Sequence, residues 1–183
     1  VATGICAEFA ADYVISTMPV KDLVAGFDPP APEAVRRVAN RLPYRDFITV
    51  GVLVRRMLGG SAVVSPGGAV LLPDNWIYIQ EPDVRLGRLQ IFNNWSPELV
   101  ADPSLVWLGL EYFCVEDDDL WCRTDAEMKA LAIDELVKIG LVAADDVLSA
   151  TVIRVPKAYP AYFGAYAQFD VIRSFVDPLA NLF

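Results

Sequence analysis

Residues 47–54 form an almost unbroken apolar run, Phe47-Ile48-Thr49-Val50-Gly51-Val52-Leu53-Val54, in which Thr49 is the only polar side chain. Its length and β-branched content suit a strand covered on both faces. Further strand-like segments lie at 76–80, 89–93, 105–115 and 147–155, the first three separated by polar turns. Sequential strands joined by short connections favour antiparallel pairing.

Helices punctuate these strands. Thr124 and Glu127 have the spacing of a capping box, Met128, Leu131, Ala132, Leu136 and Ile139 follow at helical spacing, and Gly140 supplies a stop. A helix over 125–139 is therefore expected. Pro32 opens a second one, in which Val35, Val38, Ala39 and Leu42 mark a buried face and Arg36, Arg37 and Arg41 the outer side. A short helix over 20–27 and a last helix around Phe169, Val171, Ile172 and Phe175, ended by Pro178, complete the set. The expected fold class is α+β: six or seven strands in a mostly antiparallel mixed sheet, with helices packed on one face.

Composition sets limits on function. The 183 residues are 55% hydrophobic and 21% charged, enough for one domain core, so residues 1–183 are expected to be a single domain. A formal charge of −9 opposes nucleic acid and anionic lipid surfaces. The chain has no histidine, which removes the commonest general base and metal ligand and leaves no His-dependent hydrolase triad. Cys6, Cys114 and Cys122 include no CxxC pair, so neither a zinc site nor a disulfide framework is expected. A reducing, cytoplasmic setting follows from this cysteine usage. The glycine-broken run 57–73 reads as a hairpin connection rather than a membrane span, and residues 1–20 lack the basic start of a signal peptide.

The acidic run Glu116-Asp117-Asp118-Asp119 lacks the spacing of a calcium loop and reads as solvated, with Cys114 and Cys122 flanking it as small core residues. No metal is expected. The glycine pairs at 59–60 and 67–68 lack the rest of a phosphate-binding motif. Arg85, Arg88, Asn93, Asn94 and Trp95, beside Trp76 and Tyr78, carry forked donors and indoles suited to a planar or anionic ligand. Tyr159, Tyr162 and Tyr166 gather before the last helix in what reads as a loop.

The stretch Asp12-Tyr13-Val14-Ile15-Ser16-Thr17-Met18-Pro19, then Phe27, Pro29, Pro30, Pro32 and the strand at Phe47, resembles the flavin-containing amine oxidase superfamily. Later pieces are similar to its bacterial members near protoporphyrinogen oxidase and UDP-galactopyranose mutase: Leu72-Pro73-Asp74-Asn75-Trp76, Gly87-Arg88, Asn94-Trp95-Ser96-Pro97, Gly109-Leu110-Glu111-Tyr112 and Ala158-Tyr159-Pro160. The resemblance runs over nearly the whole chain. It departs from the family in lacking the N-terminal Rossmann fingerprint and the C-terminal glycine-rich segment that close around FAD.

The resemblance implies the middle of an FAD-dependent oxidoreductase, inactive alone, with residues 1–19 returning from the flavin domain and residues 20–183 forming the substrate-binding domain. The start at Val1 and the end at Asn181-Leu182-Phe183 agree with an excised piece. FAD is expected in the parent protein and not in this piece. Thr17, Met18 and Pro19 match the turn that runs close to the flavin. Arg88, Trp95, Tyr159 and Tyr162 are the substrate-side candidates, chosen on residue chemistry, and no catalytic base is assigned. The expected partners are a small-molecule substrate and the rest of the parent chain. Two alternatives remain open at this point: a mutase-like flavoenzyme using reduced flavin as a nucleophile, and a cofactor-free ligand-binding or interaction module.

Overall fold

A computed structural model describes residues 7–183, in which two compact units are distinguished: residues 7–44 with 160–183, and Arg45–Tyr159. The helices are α1 (Val20–Ala25), α2 (Glu33–Asn40), α3 (Phe92–Trp95), α4 (Asp125–Lys138) and α5 (Phe169–Val176). The strands are β1 (Tyr44–Val54), β2 (Val63–Val64), β3 (Val70–Leu71), β4 (Trp76–Tyr78), β5 (Arg88–Ile91), β6 (Val106–Cys114) and β7 (Val147–Pro160). This is an α+β protein.

The second unit is built on a five-stranded sheet in the order β4-β5-β6-β1-β7. The pairs β4–β5, β5–β6 and β6–β1 are all antiparallel. Along β1, burial alternates more than the apolar run suggests: Ile48, Val50, Val52 and Val54 are fully buried, whereas Phe47, Thr49 and Leu53 are only half-buried. Pleating sends successive side chains to opposite faces, and the two faces meet different cover. The inner face packs Ile48, Val50, Val52, Val54, Leu108 and Leu110 into one core with Met128, Ala132 and Leu136 of α4. The other face carries polar and aromatic groups.

Helix α4 begins as its sequence dictates. Thr124 Oγ1 accepts from the Glu127 N–H at 3.3 Å, Glu127 Oε2 accepts from the Thr124 N–H at 2.8 Å, and Gly140 follows the helix with φ +73°. The glycine-rich connection is a hairpin, β2 pairing antiparallel with β3 around residues 65–68.

The first unit gathers Val24, Val35, Val38, Ala39, Leu42 and Ile172 into its own core, with Phe27 packed edge-on against Phe175. Arg36, Arg37 and Arg41 are exposed, as the helical spacing requires. Residues 7–17 form a single parallel bridge, Val14 to Leu182. The bridge is held by Val14 N–H to the Asn181 carbonyl and Phe183 N–H to the Val14 carbonyl, both 2.8 Å.

Three local expectations need correction. Cys114 is buried but Cys122 is exposed, because Cys122 falls in the turn before α4 and not on an inward strand position. Tyr159 sits on a strand, not in a loop: β7 continues past Lys157, whose left-handed φ of +54° marks an irregularity held by its N–H donating to Asp46 Oδ1. Asn93 and Asn94 serve the backbone. Asn93 donates to the Leu105 carbonyl and accepts from the Trp107 N–H, and Asn94 donates to the carbonyls of Leu72 and Asp74.

Candidate functional site

The outer face of the sheet in the second unit concentrates the unusual chemistry. Pairing puts Tyr78 beside Arg88, Arg88 beside Glu111 and Glu111 beside Thr49, one row across four strands. The next row runs Trp76, Gln90, Gly109, Gly51. The two glycines lie directly opposite each other, and this absence of side chains is used. A Cβ on Gly109 would come within 2.9 Å of the Phe92 ring, and one on Gly51 within 3.0 Å of the Trp107 indole. Both rings therefore lie close against the backbone.

Glu111 is 2% exposed and the only charged residue of β6. Burying a carboxylate is costly unless it is paired. Arg88 donates to Glu111 Oε2 from Nε at 2.8 Å and from Nη2 at 2.5 Å, and the Gln90 amide donates to Oε1. Arg88 Nη2 also donates to the Tyr159 hydroxyl at 3.0 Å. The guanidinium carbon stands 5.5 Å from the Trp76 ring centre and 5.8 Å from that of Tyr78, within cation–π range. Burial pulls the Arg88 pKa down, and hydrogen bonds to Glu111, Tyr159 and Tyr78 with the Glu111 charge more than reverse it, so the net shift is upward. The Arg88 guanidinium therefore stays protonated.

Around this pair the aromatic rings stay open to solvent. Trp76 and Trp95 pack with their rings tilted at 59° and centres 5.3 Å apart and are 48% and 46% exposed, Tyr78 is 59% exposed, and Tyr159 rests against Phe47 at 5.8 Å. A shallow aromatic surface over a fixed arginine can hold a ring by stacking and orient it by hydrogen bonds from the polar groups between.

Three of the four substrate-side candidates, Arg88, Trp95 and Tyr159, thus come together through direct contacts or the shared neighbour Trp76. Tyr162 belongs to the first unit, where it is 73% exposed and packs edge-on against Tyr166 at 4.9 Å. Sequence reading missed Glu111 and Gln90 as site residues. The available signal was the lone charge in a nine-residue apolar strand.

Thr17, Met18 and Pro19 lie in the first unit, where Pro19 caps α1 and its carbonyl accepts from the Asp22 and Leu23 N–H groups at 2.8 and 3.0 Å. Met18 is half-exposed and lines an apolar cavity of about 400 Å³ with Val14, Leu23, Phe27, Leu179 and Leu182. Next to this turn, Ser16 Oγ is buried without a hydrogen-bond partner. Among the described residues no group of cysteines and carboxylates is placed to hold a metal ion, and no helix is long and apolar enough to cross a membrane.

Comparison with known proteins places this fold. No protein-family model matches the chain, and no curated protein matches it. The chain is similar in structure to reduced UDP-galactopyranose mutase, with a TM-score of 0.58, 20% identity, and coverage of 93% of this chain and 33% of that one. It is also similar to a candidate protoporphyrinogen oxidase from Exiguobacterium sp. 255-15, with a TM-score of 0.56, 16% identity, and coverage of 94% and 35%. The chain spans about a third of the length of these proteins. The two proteins are those that the sequence motifs had singled out, and the chain shares the fold of a corresponding part of each.

Proposed function

We propose that this chain is the substrate-binding part of an FAD-dependent oxidoreductase of the amine oxidase type, and that it does not catalyse a reaction alone. In this reading residues 1–19 return from the flavin domain and residues 20–183 form the substrate-binding domain. The observation that carries it is the Arg88–Glu111 pair set beneath exposed Trp76, Tyr78 and Trp95, in a fold shared with two enzymes named for small-molecule chemistry.

The Thr17–Met18–Pro19 turn is the proposed cofactor-side segment. An apolar wall at Met18 and the unpartnered Ser16 hydroxyl fit the edge of a planar ring system with polar substituents. When bound, FAD would supply hydride acceptance. The chain's own residues do the rest: Trp76 and Trp95 stack the substrate, Tyr159 offers it a hydroxyl, and Glu111 and Gln90 fix Arg88 so that its charge does not wander. Tyr162 is the remaining substrate-side candidate, at an exposed position in the first unit. Two free cysteines in the described residues accord with the proposed reducing, cytoplasmic setting.

The test is spectroscopic. The full-length protein should carry an oxidised-flavin visible spectrum that an amine or porphyrinogen substrate bleaches. Trp95→Ala and Tyr159→Phe should raise KM for that substrate with flavin content unchanged, whereas Met18→Gln should lower flavin content. A protein bleached only by external reductant, and then active on a sugar nucleotide with no net redox change, would point to the mutase reading. A colourless full-length protein would leave a cofactor-free binding module.

A further inference from the structure

A second polar site lies in the first unit. Arg37, in the last turn of α2, and Arg41, the residue that caps its C-terminus, stand four positions apart, and both line a concavity of about 200 Å³ with Val38, Gly164, Ala165 and Gln168. Among the described residues neither guanidinium has an ion-pair or hydrogen-bond partner, although the chain carries 24 acidic residues against 15 basic ones. An excess of carboxylates makes unpaired arginines the less expected arrangement. A helix C-terminus gains from one nearby cation through its dipole, which accounts for a basic residue here but not for two facing the same hollow.

The opposite wall is small and polar. Gly164 has φ +61°, a left-handed conformation that favours glycine, and the space where its Cβ would lie is open. The wall therefore stays low beside the arginines. Gln168 adds a side-chain amide.

We propose that Arg37, Arg41 and Gln168 form a binding site for a small soluble phosphate monoester. Two guanidinium forks and an amide offer more donors than one carboxylate can accept, whereas a phosphate presents three terminal oxygens in tetrahedral arrangement and satisfies both forks. The hollow is of the size of that group with little of its ester attached. The chain's net charge of −9 argues against a phosphate carried on an anionic membrane, so a free ligand is the source.

The experiment is a titration of the full-length protein with inorganic phosphate and with phenyl phosphate, followed by calorimetry and by amide chemical shifts. Saturable one-to-one binding is expected, with Arg37→Gln and Arg41→Gln each weakening it about tenfold or more, as loss of a charge-assisted hydrogen bond implies. Arg41→Lys, which keeps the charge but loses the fork, should bind more weakly than the native protein and more tightly than Arg41→Gln. Both arginines are exposed, so these variants should keep the native circular dichroism. Three results would each overturn the proposal: no saturation by about 10 mM ligand, which is weaker than a built site gives; binding unchanged in the Arg37→Gln/Arg41→Gln protein; or equal competition by chloride. Binding to phosphatidic acid vesicles without binding to phenyl phosphate would overturn the soluble source.

Discussion

Arg88 and Glu111 are direct cross-strand neighbours, and two guanidinium nitrogens of Arg88 donate to one carboxylate oxygen of Glu111 at 2.8 and 2.5 Å. Side-chain exposure is 14% for Arg88 and 2% for Glu111, so water screens little of the pair. Removing one partner strands the other. Arg88→Ala should therefore destabilise the protein by about 3–5 kcal/mol, whereas Arg88→Met combined with Glu111→Leu should cost far less, because no buried charge remains. Urea midpoints of the single and double variants check this. Equal losses in both would show that the ion pair is not the source of the effect.

Glu135 is a second buried carboxylate with a different task. Its oxygens accept from the Arg85 N–H at 2.6 Å, the Leu86 N–H at 3.0 Å and the Tyr112 hydroxyl at 3.0 Å, tying α4 to the segment that leads into β5. Glu135→Ala leaves buried donors at Leu86 and Tyr112 unpaired, each costing about 1–3 kcal/mol. Glu135→Gln keeps an accepting oxygen and should cost less. Hydrogen exchange should show the Arg85 and Leu86 amides losing protection first in the alanine variant.

Thr124→Ala removes the hydroxyl that caps α4 and should cost about 0.5–2 kcal/mol. The Thr124 hydroxyl and backbone hold the Glu127 carboxyl below its usual pKa. A depressed carboxyl contributes stability above its unfolded pKa and loses it as pH falls through the folded value. The difference in denaturant midpoint between native protein and Thr124→Ala should therefore narrow below about pH 4. A constant difference across about pH 3 to 7 would show that the Glu127 charge adds nothing to the cap.

Cys114 and Cys122 should separate in a thiol-labelling experiment. Burial first, and then the charges of Asp118 and Asp46, push the Cys114 thiol up to about 11 from its ordinary 9.0. Iodoacetamide at pH 8 should label exposed Cys122 promptly and Cys114 only on unfolding. The linkage sign follows from an acid whose folded pKa is raised. Above pH 9 the unfolded chain loses this proton while the folded one keeps it, so the Cys114 contribution to stability falls between pH 9 and about 11. Cys114→Ser should flatten that part of the pH profile. Tyr112 is shifted in the same direction by burial and by Glu135, so its phenol should not ionise in the folded protein at pH 11.

Local rules were sufficient for much of this molecule. The capping box at Thr124 and Glu127, the stop at Gly140, the buried stripe of α2 and the glycine hairpin between β2 and β3 each depend on residues within a few positions of one another. Short-range geometry is dictated by the chain itself, so these features were legible. The order of motifs from Tyr13 to Tyr159 also pointed to the fold that the solved structures share. What the sequence could not settle was which residues meet across strands. Arg88, Glu111 and Tyr159 are separated by 23 to 71 positions, and their contact depends on the register of β5 on β6 and on the continuation of β7 beyond Lys157. Register moves every side chain to one face or the other, and only the packed sheet selects it. Tertiary structure therefore decided that Glu111 is a buried partner, that Tyr159 joins it through Arg88, and that Tyr162 lies in the other unit. The residue types were written in the chain, and their assembly into one face followed from pairing that no local pattern specifies.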